Sequence, residues 1–355
     1  MIDDWIYIYL PSTFCALAFL VNPIFISLIF SEKSVIFGNY RYLFLYFAVF
    51  NMIYSIMNVL VQLKIHNYRY SFLVFVRYGW FQTSSSEFNY HMLTARCSFI
   101  GSSYAVLLSH FIYRYLVILN SSLTRHHFPW YMTGSFLLIV VYYSLSYATC
   151  YFPGKANLEV LQYIRVDFQE NFGIDSRNLN IMGSMFSVGS DTTTLRAWKT
   201  IISLSTISIA SITSFFVMAR LIMQELKTMS VRTSQKTSRL QFELLRALIV
   251  QTVIPIFISF SPCLLCWYSP IFGIQLHKSF NYLETIALGV FSFVDPIAII
   301  LCLPIFRGRV LNAVSCNTKT NPENQADNNS QRQPPVSSNT LLNAYFQRNT
   351  IFFHK

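Results

Sequence analysis

Long apolar stretches bounded by polar clusters recur seven times along the chain, over residues 6–30, 42–63, 97–119, 130–152, 200–224, 247–267 and 283–306. A bilayer core about 30 Å thick needs about 20 apolar helical residues to cross it, and these stretches are long enough. β-branched and aromatic residues are frequent within them, but uninterrupted runs of this length exceed ordinary strands. The pattern therefore predicts an all-α bundle of seven transmembrane helices. Pro23, Pro255, Pro262 and Pro296 fall inside the stretches and are expected as kinks, since neighbouring helices can satisfy the freed backbone groups. Residues 1–312 form the expected bundle. Residues 313–355, rich in Asn, Gln, Ser and Pro over their first part, form a largely disordered tail.

Composition supports hydrocarbon surroundings. Charged residues are 12% of the chain and apolar ones 54%, so a water-facing surface could not be covered with charge. The formal charge of +11 is spread between the apolar stretches, which excludes a nucleic-acid face and points to topology-setting charge. With the N-terminus outside, 16 of the 26 Lys and Arg lie on the cytoplasmic side. The others lie mostly in two long outer loops, residues 64–96 and 153–199, which also hold six of the 15 acids. The start, Met1-Ile2-Asp3-Asp4-Trp5, lacks the basic residues of a secretory signal, so the first stretch is expected to be a true span.

Ionisable and amide groups inside spans are costly and face the bundle interior. Asp295 lies deep in the seventh span, and Asn22 and Asn51 fall at a similar depth in the first and second. With Pro296 beside it, Asp295 marks either a hydrogen-bonded switch at a bend or a static packing knot. Pro255 is the corresponding bend in the sixth span. Glu284 lies on the same helical stripe as Asp295 and near the outer surface. Ser102, Ser103, Tyr104, Tyr142, Tyr143 and Glu284, by depth and polarity, are the candidates to line a ligand site in the outer half of the bundle. Cys97 and Cys150 fall at the outer ends of spans three and four, where a disulfide is permitted if their Cα atoms lie within about 7 Å. No spaced His, Cys or acid set suggests a metal, cofactor or enzyme site.

Arg114 stands at the inner end of the third span within Tyr113-Arg114-Tyr115. The triplet resembles the Arg-centred triplet of seven-helix G-protein-coupled receptors, with Tyr113 where rhodopsin-type members carry an acid. Gly38-Asn39-Tyr40-Arg41-Tyr42-Leu43, His66-Asn67-Tyr68-Arg69-Tyr70, His110-Phe111-Ile112-Tyr113-Arg114-Tyr115-Leu116, Gln251-Thr252-Val253-Ile254-Pro255 and Asp295-Pro296 follow in order. Together they resemble the Str superfamily of nematode serpentine chemoreceptors. Ser261-Pro262-Cys263 and Tyr268-Ser269-Pro270-Ile271-Phe272-Gly273 bring the resemblance closest to class J.

The resemblance implies a plasma-membrane receptor of sensory-neuron cilia that detects a small odorant or soluble cue and couples to a heterotrimeric G protein. Arg125, Lys227, Arg232, Lys236, Arg239, Arg307 and Arg309 supply a basic inner rim, suited to an acidic partner or to anionic lipid headgroups of the bilayer. A seven-helix ligand-gated ion channel and a ligand-free membrane scaffold are the alternatives. Orientation separates receptor from channel: a tag on Met1 should bind antibody on intact, unpermeabilised cells. Labelling only after permeabilisation would reverse the topology.

Overall fold

The computed structural model describes residues 2–31, 38–79, 86–230, 235–274, 276 and 278–317. The chain divides into Met1–Gly308 and Arg309–Lys355, and the bundle is the first of these. Its long helices are α1 (Ile2–Ser31), α2 (Tyr40–Leu60) and α3 (Glu87–Ile118), then, after the short α4 (Ser122–Arg125), α5 (Phe128–Tyr151). Between α5 and the next long helix lie α6 (Leu158–Tyr163) and α7 (Arg165–Phe172). The 40-residue α8 (Asp191–Ser230) follows. Then α9 (Gln235–Pro255) and α10 (Ser261–Tyr268) form one rod joined by a π-turn over Ile256–Phe260. The last long helix is α11 (Lys278–Cys302), and α12 (Pro304–Asn317) follows. The bundle of seven long helices agrees with the expected fold class.

Four helical segments, Ile8–Ser31, Tyr40–Leu60, Phe128–Tyr151 and Asp191–Thr228, are each long and apolar enough to cross a membrane alone. A fifth qualifies if α11 is taken with the helix beyond its break at Leu303. Helix α3 and the α9–α10 rod are long enough but carry more polar residues, among them the buried Arg96, His110, Arg114 and Gln251. Outward faces are apolar: Leu20, Phe136, Leu145, Ile209, Phe216 and Phe257 are all exposed. At about 1.5 Å per residue, α8 spans roughly 60 Å, twice a bilayer core, so it must project beyond it.

The proline expectations divide. After Pro255 the helix adopts the π-turn, a local widening that disturbs the regular ladder. At Pro23 and Pro296 the helices run through. The break near the end of α11 comes instead at Leu303.

Residues 64–96 are not merely a loop, and the second span ends at Leu60 rather than residue 63. Strands β1 (Val61–Tyr68) and β2 (Ser71–Gly79) form an antiparallel hairpin, and β3 (Ile181–Met185) pairs with the other edge of β2. Alternation builds the sheet. Leu63, Ile65, Val74 and Val76 pack with Leu93, Cys150, Cys263 and Leu288 of the bundle. Leu73 and Phe75 point to the opposite face, under Val160, Ile164 and Phe168 of the α6–α7 region. The two long loops thus fold into a lid with a core on each face.

Polar contacts stitch the lid together. His66 Nε2 lies 2.7 Å from Asp167 Oδ2, tying β1 to α7. Asn67 Nδ2 donates to the Cys266 carbonyl at 3.0 Å and to Ser269 Oγ at 3.1 Å, tying the hairpin to α10. Glu159 accepts from the hydroxyls of Thr193 and Ser190 and from the Ser190 amide, contacts that hold its carboxyl below the usual range. The two-residue turn at the hairpin tip places Arg69 at φ +47°, where L-residues are uncommon.

A hydrogen bond to a charged group contributes about 1.5–3 kcal/mol. His66→Ala should therefore loosen α7 from the sheet and speed protease cleavage within residues 153–199. Cleavage at the wild-type rate would show that the apolar core of the lid suffices without this pair.

Candidate functional site

Beneath the sheet, between α3, α5, α8 and α10, lies a cavity with about 100 Å³ open to water-sized molecules. Its walls are apolar: Leu63, Ile65, Phe72, Val74 and Met182 from the sheet, and Ile100, Leu204, Phe260 and Trp267 from the helices. Polar groups are few. Tyr104 donates from its hydroxyl to Ser208 Oγ at 3.2 Å, and the Ser146 hydroxyl has no partner. Gly101 lets α3 and α5 approach here, since a Cβ added to it would lie 2.1 Å from Ser146 Oγ.

Of the six candidate ligand residues, Tyr104 lines this cavity. Ser102 and Ser103 donate to the carbonyls of Ser98 and Ile100 on their own helix, at 3.0 and 2.7 Å. Tyr142 hydrogen-bonds Ser211 Oγ at 3.0 Å, and Tyr143 packs edge-on against Phe99. The side chain of Glu284 lies outside the described ones. The helix is longer than its apolar stretch: α3 starts at Glu87, ten residues before Cys97. Ten residues are about 15 Å of helix, so positions read as near the outer end sit deep in the bundle.

Cys97 and Cys150 line the same cavity, so the inference that they are neighbours holds. Both are thiols, and the bridge is not formed. They serve instead as small apolar wall residues, Cys150 being buried in the apolar cluster against which Cys97 packs.

At the opposite end, a polar cavity of about 340 Å³ is lined by Tyr40, Tyr113, Arg114, Arg125 and Gln241, among others. Arg114, only 3% exposed, does not project outward. It donates from Nη2 to Gln241 Oε1 at 2.7 Å, joining α3 to α9. Its guanidinium carbon stands 5.1 Å from the Tyr40 ring centroid. Tyr40 in turn stacks on Tyr113 at 5.1 Å and shares a 3.1 Å hydrogen bond with His110 Nδ1. Tyr115 is half-buried and packs on the cluster around Phe111 and Phe215. Arg125, Lys227, Arg307 and Arg309 are exposed. Arg232 and the side chains of Lys236 and Arg239 lie outside the described residues.

Midway, Asn22, Asn51 and Asp295 are all buried, as expected. The recorded bond is more specific than a three-way cluster. Asn22 Nδ2 donates to the Ser292 carbonyl at 3.1 Å. In a helix that carbonyl would accept from residue 296, and Pro296 has no N–H to give. The α1 amide therefore replaces the hydrogen bond that proline removes, and α11 continues past Pro296 unbroken. Both polar atoms of the Asn51 amide are buried without a partner, as is Asp295 Oδ1.

The family model described as serpentine-type 7TM GPCR chemoreceptor Srj matches residues 1–310. The chain belongs to the class J serpentine chemoreceptors. It is 58% identical over 312 residues to serpentine receptor class J-38 of Caenorhabditis elegans, a match covering 88% of this chain and 94% of that one. Serpentine receptor class r-10 of the same organism is 23% identical over 308 residues, covering 83% and 87% of the two chains. Among solved structures, squid rhodopsin superposes with a TM-score of 0.55 at 15% identity, covering 94% of this chain and 90% of that one. The fold is that of a seven-helix receptor, and the chain is a multi-pass membrane protein.

The receptor's short motifs now have physical reasons. Asn39 donates to the Thr124 carbonyl at 3.2 Å, while Tyr40, one residue on, carries the His110–Tyr113–Arg114 group. His66-Asn67 supplies the lid's ties to α7 and α10. The roof of the cavity was missed as structure, although Val61-Gln62-Leu63-Lys64-Ile65-His66 alternates apolar and polar, the signal of a half-buried strand.

Removing one partner of a buried carbonyl costs about 1–3 kcal/mol. Asn22→Leu should lower the melting temperature of the purified receptor through the orphaned Ser292 carbonyl, whereas Asn22→Leu combined with Pro296→Ala should recover much of it. Equal losses in the single and double variants would separate Asn22 from the proline.

Proposed function

We propose that this receptor detects a small-molecule cue in the cavity under the lid and relays its arrival to a heterotrimeric G protein at the Arg114 end. The Arg114–Gln241 bond carries the reading. A bundle that signals must open where the partner binds, and this bond holds α3 to α9 across the polar cavity there. Tyr113 occupies the place of the acid that pairs with the Arg in rhodopsin-type receptors, so the tether here is to a neutral amide.

In this reading the lid end, shared with the N-terminus, faces outside, and the Arg114 end faces the cytoplasm. The exposed Arg125, Lys227 and Arg307 then offer a basic approach to an acidic partner, with anionic lipid as a competitor. The Asn67 bonds give the lid a direct hold on α10, and the π-turn after Pro255 is the compliant point between α10 and α9. Asp295, with its unpartnered oxygen beside Pro296, is the interior group placed to exchange partners when α11 shifts. Ser102, Ser103, Tyr142 and Tyr143 support the cavity from behind, and Tyr104 meets the cue directly. Plasma membrane and sensory cilia are the proposed location.

A charge-assisted bond of about 1.5–3 kcal/mol weighs the closed state by roughly tenfold or more. Gln241→Ala should therefore raise cue-independent G-protein signalling severalfold in transfected cells at unchanged surface expression. Basal signalling equal to wild type would remove Arg114–Gln241 as the restraint.

A further inference from the structure

Arg96 was read from the sequence as part of an outer loop, but it lies within α3, as the tenth residue of that helix, and is fully buried. Its surroundings are unusual for a cation. Nη2 donates to Asn58 Oδ1 on α2 at 2.9 Å, and the guanidinium carbon stands 4.3 Å from the Tyr54 ring centroid. Nε and Nη1 have no hydrogen-bond partner. Among the described residues no carboxylate pairs with it.

Arginine stays protonated in proteins, so this is a permanent positive charge held away from water. A neutral amide and an aromatic face offset only part of the desolvation, and an anion is what would complete the balance. The enclosure is tight. A Cβ on Gly289 of α11 would lie 2.9 Å from Asn58 Nδ2 and 2.6 Å from the Phe14 ring, so a bare glycine lets α1, α2 and α11 close on this point.

The charge also adjoins the ligand cavity. Cys97, next in the chain, and Ile100, one turn along the same face, both line that cavity. Leu288, neighbour of Gly289, lines it from the other side. Residues that wall the apolar chamber therefore flank, along α3, a cation with two unused donors.

We propose that the cue is a small amphiphilic carboxylate, its apolar body in the chamber under the lid and its carboxylate paired with Arg96. This rests on the receptor reading above and narrows it to a ligand class. It also accounts for a buried charge that packing does not require and that is expensive in a membrane helix.

The test uses the full-length receptor in nanodiscs, with straight-chain carboxylates of two to ten carbons and hexan-1-ol and hexanamide as neutral controls. At least one carboxylate should raise the wild-type melting temperature by about 2 °C or more at saturation, and the neutral controls should not. Arg96→Gln should bind that carboxylate at least about tenfold more weakly, while melting no lower than wild type without ligand, because an uncompensated charge has been removed. Arg96→Lys, which keeps the charge, should retain a reduced shift and serves if the glutamine variant fails to fold.

Neutral analogues as effective as the acids would overturn the proposal, as would full binding by Arg96→Gln or no shift with any carboxylate. Binding that appears only after Glu284→Gln would place the partner of Arg96 within the protein and overturn it too. G-protein activation is read separately. Carboxylate binding without activation would defeat the receptor reading and leave the site, whereas activation by neutral cues alone would do the reverse.

Discussion

Polar groups inside a bundle surrounded by hydrocarbon are answered chiefly from within, because lipid offers them no hydrogen bonds. Two features of this receptor trace to that constraint. Pro296 frees a carbonyl on α11, and Asn22 of α1 answers it. Arg114 needs an acceptor at the far end of α3, and Gln241 of α9 supplies one. The answer is incomplete at Arg96, at Asn51 and at one oxygen of Asp295.

The same constraint shapes the lid. Two long connections leave the bundle, and each would expose backbone if it stayed irregular over the cavity. Pairing β1, β2 and β3 satisfies that backbone, and alternation gives the sheet one apolar face toward the bundle and another toward Phe168 and Ile164. The sheet is anchored to α10 through Asn67, and α10 continues through the π-turn into α9, which carries Gln241. One rod thus touches the roof of the chamber at one end and holds Arg114 at the other. The weak point of its hydrogen-bond ladder lies between the two.

Comparison with the rhodopsin fold separates architecture from chemistry. At 15% identity the helices superpose over most of the chain, so the fold tolerates wholesale replacement of side chains. Arg114 stands at the end of α3 farthest from the lid, and its neighbour is Tyr113. That tyrosine joins an aromatic stack with Tyr40 beneath the guanidinium instead of offering a carboxylate.

Long apolar stretches in the sequence pointed to the bundle of seven long helices and to the burial of Asn22, Asn51 and Asp295, because lipid rewards apolar length and leaves buried amides and acids to face the interior. Motif order alone pointed to the receptor class. Helix ends were less legible: α3 begins ten residues early and α8 overruns its span, since turns that project beyond the bilayer carry no apolar signal. Tertiary structure decided the rest. Whether Arg96 lies in a loop or in the interior, which carbonyl Asn22 meets, and whether two cysteines bond or line a wall depend on distances between segments remote in sequence. Those distances are set by how helices and strands pack, and a single strand of letters does not carry them.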